Sequence, residues 1–208
     1  MRKKILFIVS NLKVGGGAEK SVTLLTKGLS KYYDVELLTF YDFKKEYEHN
    51  VKRKSLGYTY NQNIIIKLIR LLIIFPLKLR NYLKKEKYDL VVSNAEDANI
   101  VSLICKKYLF NYKLWTTIRG NIFDKKHKYH KLRKLHKNAN KKIVLTKVLQ
   151  QIAEFKSTVI GNALLTKEII KKQKEKITDE KEKKIFSKKT FLMVGRLYDV
   201  KNHAWFFD

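Results

Sequence analysis

Three consecutive glycines follow the first apolar run of the chain: Gly15, Gly16 and Gly17. Glycine lets the backbone adopt positive φ and approach a ligand closely. The apolar residues that follow are spaced as on one face of a helix, which predicts that the glycines lie at a helix N-terminus. Unpaired N–H groups and the positive end of the helix dipole can hold a phosphate or a sugar hydroxyl there. The alternative is a capped turn, with Glu19 favourably placed in the first helical turn.

Two common nucleotide-binding motifs do not fit this turn. A Walker loop requires Gly before its Lys-Ser pair, but Glu19 precedes Lys20 and Ser21 here. The dinucleotide fingerprint requires Gly or Ala at the position of Lys20. The spacing therefore excludes both motifs.

Polar side chains also follow two later apolar runs. Asn94, Glu96 and Asp97 come directly after the run at residues 88–93, and Arg119 and Asn121 follow the run at residues 113–118. Open parallel sheets bind ligands at the carboxyl ends of their strands, which makes these residues candidates for a ligand site. A guanidinium there could bind a carboxylate or phosphate. The alternatives are helix caps for the first group and a surface salt bridge for Arg119.

Three histidines, His127, His130 and His136, lie close together in a basic segment. We do not predict a metal site, because no Cys accompanies them, the neighbouring lysines repel a cation, and the spacing matches no common zinc pattern. Solvated helix positions are expected instead.

The positions of these candidate residues depend on alternating elements. Strands are predicted at residues 5–9, 35–40, 51–56, 88–93, 113–118, 142–145 and 158–160, with helices between most of them. Continuous apolar runs are typical of strands covered on both faces. The predicted fold is therefore α/β, a doubly wound parallel sheet of Rossmann-like type.

The segment at residues 63–87 is strongly apolar, but Lys67 and Arg70 interrupt it before it reaches the length of a membrane span. It is predicted to be a helix that Pro76 kinks or restarts. Its basic second half carries Lys78, Arg80, Lys84 and Lys85. Such a helix can pack on the sheet or lie in a membrane surface.

Composition limits the compartment and the partners. The 208 residues are 45% hydrophobic with a single Cys105, which predicts a reducing compartment, and no signal peptide is predicted before the first strand. The net charge of +27 attracts polyanions in general. Only seven of the 46 basic residues are Arg, and no nucleic-acid-binding motif is present, so specific nucleic-acid recognition is not expected.

Composition changes at Thr166, which predicts three parts: a first domain at residues 1–165, a charged linker at 166–189, and the start of a second α/β domain at 190–208. A buried strand is predicted at residues 190–194. The second domain is expected to be incomplete.

Four short motifs, in this order, resemble the amino-terminal half of a glycosyltransferase family 4 enzyme of GT-B architecture. They are Gly16-Gly17-Ala18-Glu19, the strand at residues 88–93, Ile160-Gly161-Asn162-Ala163, and Gly195-Arg196-Leu197 with Lys201-Asn202. The resemblance implies a retaining transfer of sugar from a nucleotide-sugar donor to a saccharide or lipid-linked acceptor, as in surface polysaccharide synthesis, with no cofactor and no bound metal. By the same resemblance, Arg196 and Lys201 neutralise the donor diphosphate, and Asn162 lies in the cleft.

Three further expectations follow. The protein is expected in the cytoplasm, with possible attachment to the inner face of the cell membrane. The 208-residue chain is expected to be inactive by itself, because most donor contacts of such enzymes lie in the second domain. The alternatives are a non-catalytic module that docks on an anionic membrane or partner, and a nonspecific nucleic-acid binder.

Overall fold

The computed structural model describes residues 2–61 and 63–195. Its centre is a seven-stranded sheet in the order β3-β2-β1-β4-β5-β6-β7, and each neighbouring pair is parallel. The strands are β1 (Lys4–Val9), β2 (Asp34–Tyr41), β3 (Lys52–Tyr58), β4 (Leu90–Asn94), β5 (Leu114–Ile118), β6 (Lys141–Val144) and β7 (Thr158–Val159). The predicted parallel α/β fold is confirmed.

Helices connect most of these strands. They are α1 (Gly17–Leu29), α2 (Ile64–Ile69), α3 (Phe75–Lys85), α4 (Glu96–Ile104), α5 (Lys147–Ile152), α6 (Thr166–Lys172) and α7 (Glu180–Phe186). The described residues also form two π-helical turns, at Arg70–Ile74 and Cys105–Leu109, and a 3-10 helix at His130–Asn138.

Alternate residues of β1 face opposite sides of the sheet, as a strand requires. Ile5 and Phe7 pack in one cluster with Val22 of α1. Leu6 and Ile8 pack in a second cluster with α3 and α4. Helices therefore cover both faces of the sheet at β1, and this strand is apolar from Ile5 to Val9 because both of its faces are buried.

The segment from α2 to α3 is a continuous helical rod with one irregular turn. The side chain of Asn63 caps its start by accepting hydrogen bonds from the N–H groups of Ile65 and Ile66. After the π-helical turn, α3 begins with Pro76 in its first turn, which agrees with the predicted restart. No helix among the described residues is long and apolar enough to cross a membrane.

The inner side of this rod anchors the core. Phe75 is fully buried, and its ring stacks on Phe40 at 4.8 Å between ring centroids. The rings of Tyr41 and Tyr58 meet its ring edge-on at 5.7 and 5.2 Å. This aromatic cluster fixes the rod against β2 and β3.

The chain divides into two compact units, residues 1–164 and 165–208. In the second unit, the prediction of a buried strand at residues 190–194 is wrong. These residues form no strand, and the side chains of Phe191 and Val194 are 77% and 85% exposed. Apolar content alone cannot make a strand, because the backbone also needs a hydrogen-bonded neighbour, and no described strand pairs with this segment.

The expectation that His136 is solvated is also wrong. Its side chain is buried, its Nδ1 lies 3.1 Å from the hydroxyl oxygen of Thr116, and its ring stacks on Phe155. Burial lowers the pKa of His136 to about 4, with a further contribution from the positive charge of Lys142. The basic residues on either side of His136 in the sequence suggest an exposed segment, although the side chain of His136 itself faces the core.

This burial predicts a pH dependence of stability. Below pH 6.5 the unfolded chain takes up a proton at His136 that the folded chain resists down to about pH 4, so acid favours unfolding. The loss between these limits is on the order of 3 kcal/mol. Urea unfolding from pH 7 to pH 4 is expected to show a shallower loss of stability in His136→Asn than in the unaltered protein.

His49→Asn provides the matched control, since His49 lies in a loop outside the core clusters. The control is expected to follow the unaltered protein. Equal pH slopes for all three proteins would contradict a buried neutral His136.

Candidate active site

The candidate site lies at the carboxyl edge of the sheet, between β1 and β4. Strand order reverses there, because the chain moves from β1 outward to β2 and β3 and then returns to the other side of β1. Ligands of open α/β sheets bind in the crevice at such a switch point. The register pairs Val9 with Asn94, so the glycine turn and the polar residues after β4 leave the sheet side by side.

The glycine turn forms the N-terminus of α1, as predicted. Gly15 has φ of +103°, a conformation that residues with a Cβ rarely adopt, and its N–H donates to the hydroxyl of Tyr47 at 3.1 Å. Gly16 is the N-cap and has no side chain with which to cap the helix. The first N–H groups of α1 therefore lack the usual side-chain partner.

The carboxylate of Glu19 folds back over this turn. A Cβ placed on Gly16 would lie 1.8 Å from Oε2 of Glu19, so the absence of a side chain at this position makes room for the carboxylate. The negative charge lies at the positive end of the α1 dipole. A phosphate bound at this turn would thus have to share or replace the position of Glu19.

Arg119 is the centre of the polar cluster. Its Nη1 donates to Oδ1 of Asn162 at 2.6 Å, and its Nη2 lies 3.3 Å from both Oγ of Ser21 and Oδ1 of Asn94. From its position after β5, the guanidinium thus links the end of β4 and the loop after β7 to the first turns of α1. No side chain of the described residues forms an ion pair with it within 4 Å, so the surface salt bridge is not observed.

Burial lowers the pKa of Arg119, and the charges of Glu19 and Glu96 partly oppose that effect. Arginine remains protonated despite such a shift, because its ordinary pKa is very high. The site therefore holds a fixed, partly desolvated positive charge. Such a charge attracts phosphate or carboxylate more strongly than a solvated one.

Two buried donors of this cluster have no hydrogen-bond partner among the described residues: Nδ2 of Asn94 and Nε of Arg119. Asn94 itself is fully buried, and its Oδ1 accepts a hydrogen bond from the hydroxyl of Thr117 at 2.8 Å. A buried donor without a partner costs about 1–3 kcal/mol. The two donors are therefore suited to a polar ligand or ordered water.

Backbone strain occurs at the same place. Ala95, between Asn94 and α4, has φ of +67° and is the only residue other than glycine with positive φ in the described part of the chain. Such conformations cost roughly 1–3 kcal/mol and are concentrated at functional sites. The turn lets Glu96 accept a hydrogen bond from the N–H of Gly120 at 3.1 Å, which joins the ends of β4 and β5.

The structure does not bring all predicted residues together. The side chain of Asp97 points away from the cluster around Arg119. Its Oδ2 lies 3.2 Å from Nζ of Lys67, and its Oδ1 accepts a hydrogen bond from the hydroxyl of Tyr129. Asn121 is exposed outside the cluster. Arg196 and Lys201 lie outside the described residues, so their predicted contacts with a diphosphate remain predictions.

Three members of the network were not predicted from the sequence. Thr117 lies two residues before Arg119, on the same side of β5, and this spacing could have identified it. Asn99 donates through Nδ2 to the carbonyl of Thr117 at 2.8 Å and supports it from α4. Ser21 carries no signal in the sequence, because only the fold brings α1 next to β5.

The family model named Glycosyltransferase Family 4 matches residues 15–162, which contain the glycine turn, Asn94, Arg119 and Asn162. The chain belongs to glycosyltransferase family 4. The match covers most of the chain and spans the first three of the four short motifs apart from Ala163, whereas the fourth motif, at residues 195–202, lies outside it. A comparison with curated proteins finds no match.

Solved structures with a similar fold support the GT-B assignment of this family 4 domain. HepE of Anabaena, solved with UDP and glucose, has a TM-score of 0.57 at 16% identity over 79% of this chain and 45% of its own. The lipopolysaccharide outer core galactosyltransferase WaaB has a TM-score of 0.56 at 16% identity, over 77% and 46%. A glycosyltransferase of Rickettsia africae has a TM-score of 0.53 at 17% identity, over 88% and 48%. The chain thus spans about half the length of these proteins.

Proposed function

We propose that this protein is a retaining glycosyltransferase that moves a sugar from a nucleotide-sugar donor to a saccharide or lipid-linked acceptor in surface polysaccharide synthesis. The observation that carries the proposal is the partly buried, hydrogen-bonded Arg119 at the switch point of the sheet, in a domain of family 4. Fixed donors at such a point can stabilise charge that develops during transfer.

Each part of the cluster has a distinct role in this proposal. The unpartnered donors of Asn94 and Arg119 bind hydroxyl or anionic oxygens of a substrate in the crevice. The glycine turn lets the substrate approach the N-terminus of α1. Arg196 and Lys201 are proposed to neutralise the leaving diphosphate without a resident metal.

Two observations support the donor class and the place of action. HepE was solved with UDP and glucose, which is the pair of fragments expected from a nucleotide sugar. A lipid-linked acceptor lies in a membrane, and the net charge of +27 attracts anionic lipid. We propose that the reaction takes place at the cytoplasmic face of the cell membrane.

The test uses protein expressed from its complete coding sequence. It is incubated with radiolabelled UDP- and GDP-sugars and with lipid and polysaccharide extracts of the source cells. We expect label to enter an acceptor, the rate to be unaffected by a chelator, and the new bond to keep the anomeric configuration of the donor, as read by NMR. Absence of both donor binding and transfer over this range would overturn the proposal, and inversion would overturn its mechanism.

A further inference from the structure

The outer side of the helical rod carries a continuous line of exposed aliphatic side chains. We call these six residues the apolar stripe: Ile65, Leu68, Ile69, Leu72, Ile73 and Leu77. They recur at steps of three or four residues, so they share one side of the helix. At 1.5 Å per residue, the stripe is roughly 20 Å long.

The stripe is not a frayed end of the chain. Asn63 caps the rod, and its opposite side is buried through Leu71, Phe75 and Leu79. The rod is therefore apolar on two sides, although only one of them faces the core. Large exposed apolar patches of this kind mark sites where a protein meets another protein or a membrane.

We propose that the apolar stripe inserts into the surface of an anionic lipid bilayer and docks the protein there. This inference rests on the proposed function insofar as a lipid-linked acceptor would be reached from that surface. An amphipathic helix with aliphatic residues on one side and lysines nearby lies in the plane of the membrane interface.

Charge favours lipid as the occupant. No Asp or Glu lies between Glu48 and Glu86, whereas this interval contains nine basic residues: Lys52, Arg53, Lys54, Lys67, Arg70, Lys78, Arg80, Lys84 and Lys85. Lys78, Lys84 and Lys85 are exposed on the same rod. An anionic surface attracts all three.

The same charge argues against a second copy of the chain. A symmetric dimer formed through the stripe would bring one basic surface against its own copy. Like charges at an interface are repulsive and suppress that pairing. An anionic bilayer provides an apolar interior for the stripe and negatively charged head groups for the lysines.

The rod that carries the stripe also lies next to the candidate site, on its side opposite the stripe. Lys67, on the side of α2 away from the stripe, contacts Asp97 at 3.2 Å, and Asp97 lies in the first turn of α4 directly after Asn94 and Glu96. One ion pair therefore separates the membrane-facing rod from the residues of the switch point. An acceptor anchored in that bilayer would reach the crevice by extending past the rod, a distance of roughly 10 Å.

In the structure, the surface suited to membrane insertion lies in the first half of the rod, not in the second half. The sequence pointed to the basic second half, but Arg80 is only half exposed, and its Nε is buried without a partner. The exposed aliphatic surface lies in the first half instead, between Ile64 and Leu77. The lysines of the second half attract the anionic lipid head groups, and the apolar stripe inserts among the lipid chains.

The test measures co-sedimentation of the protein with vesicles of phosphatidylglycerol and phosphatidylcholine. Ile69→Gln with Ile73→Gln is expected to weaken binding about tenfold or more, because two aliphatic side chains no longer leave water. The matched control is Val148→Gln with Ile152→Gln on α5, a pair with the same spacing that is 65% and 43% exposed, against 45% and 55% for the tested pair. The control pair is expected to change binding less than twofold.

Lys84→Gln with Lys85→Gln is expected to reduce the salt dependence of binding while leaving a salt-insensitive part. Circular dichroism and thermal melting verify that each variant is folded. Equal effects of the stripe pair and the control pair on vesicle binding would overturn the proposal. It would also be overturned if the protein formed a dimer that the stripe variant could no longer form, while that variant still bound vesicles. Binding needs neither donor nor turnover, so its failure is independent of the test for sugar transfer.

Discussion

In the protein prepared for the transfer assay, from its complete coding sequence, replacing Arg119 by alanine is expected to lower kcat/KM for the proposed sugar transfer at least a hundredfold. The change removes a partly buried cation and its hydrogen bonds to Asn162, Ser21 and Asn94. Loss of one fixed donor to developing charge typically costs about 100- to 1,000-fold in rate. Steady-state kinetics with varied donor and acceptor would show whether the loss falls on kcat or on KM.

Two further variants make this result specific. Arg119→Lys keeps the charge but loses the planar fork, so it is expected to recover only part of the activity. Arg133→Ala is the matched control, because Arg133 bonds to Glu154 and to the carbonyl of His130 outside the cluster. Full activity in Arg119→Ala, or an equal loss in Arg133→Ala, would remove Arg119 from the site.

Replacing Phe75 by alanine is expected to lower the free energy of unfolding by about 3–5 kcal/mol. The ring is fully buried and contacts the rings of Phe40, Tyr41 and Tyr58, so its removal leaves a cavity between the rod and the sheet. Urea unfolding monitored by circular dichroism measures the change.

Leu72→Ala is the control from the same rod. Leu72 is 38% exposed and lies on the apolar stripe, so its truncation is expected to cost far less than that of Phe75. If both variants lost similar stability, the stripe would be packed in solution and would not be available to a membrane.

The strands β1, β2, β4 and β5 were the most predictable, because most of their residues are buried, whereas β3 and β7 contain no buried residue. Residues 5–9 are a continuous apolar run, and residues 35–40 are apolar except for Glu36 and Thr39. The observed strands, Lys4–Val9 and Asp34–Tyr41, extend these ranges by no more than one residue at each end. Burial on both faces makes the pattern insensitive to register. Strand order could not be predicted, because pairing depends on contacts between distant segments.

Strand-end reasoning also found Asn94, Glu96 and Arg119, because the carboxyl ends of parallel strands meet at one edge. It could not separate Glu96 from Asp97. Successive residues in the first turn of a helix differ by about 100° in direction, so Glu96 faces Gly120 whereas Asp97 faces Lys67. The strain at Ala95 has no signal in sequence, since alanine is not a residue that favours positive φ.

The errors at His136 and at residues 190–194 have a common cause. Residue type alone does not decide whether a side chain is exposed, because contacts from other segments of the chain decide it. Thr116 and Phe155 enclose a histidine that lies in a basic segment, whereas an apolar run at residues 190–194 lacks a described partner strand.

The π-helical turn at Arg70–Ile74 determines the phase of the rod. Two lines of side chains run along the rod, and in each line the residues are four apart. The outward line is Ile65, Ile69, Ile73 and Leu77, and the inward line is Lys67, Leu71, Phe75, Leu79 and Leu83. In a regular α-helix, a four-residue repeat rotates by about 40° at each step, so both lines would spiral around the axis. The wider turn, where the N–H of Phe75 bonds to the carbonyl of Arg70, takes up part of this rotation. The rod therefore keeps one flat side for the sheet and a second, nearly parallel flat side, which is the shape that a planar surface can meet along its whole length.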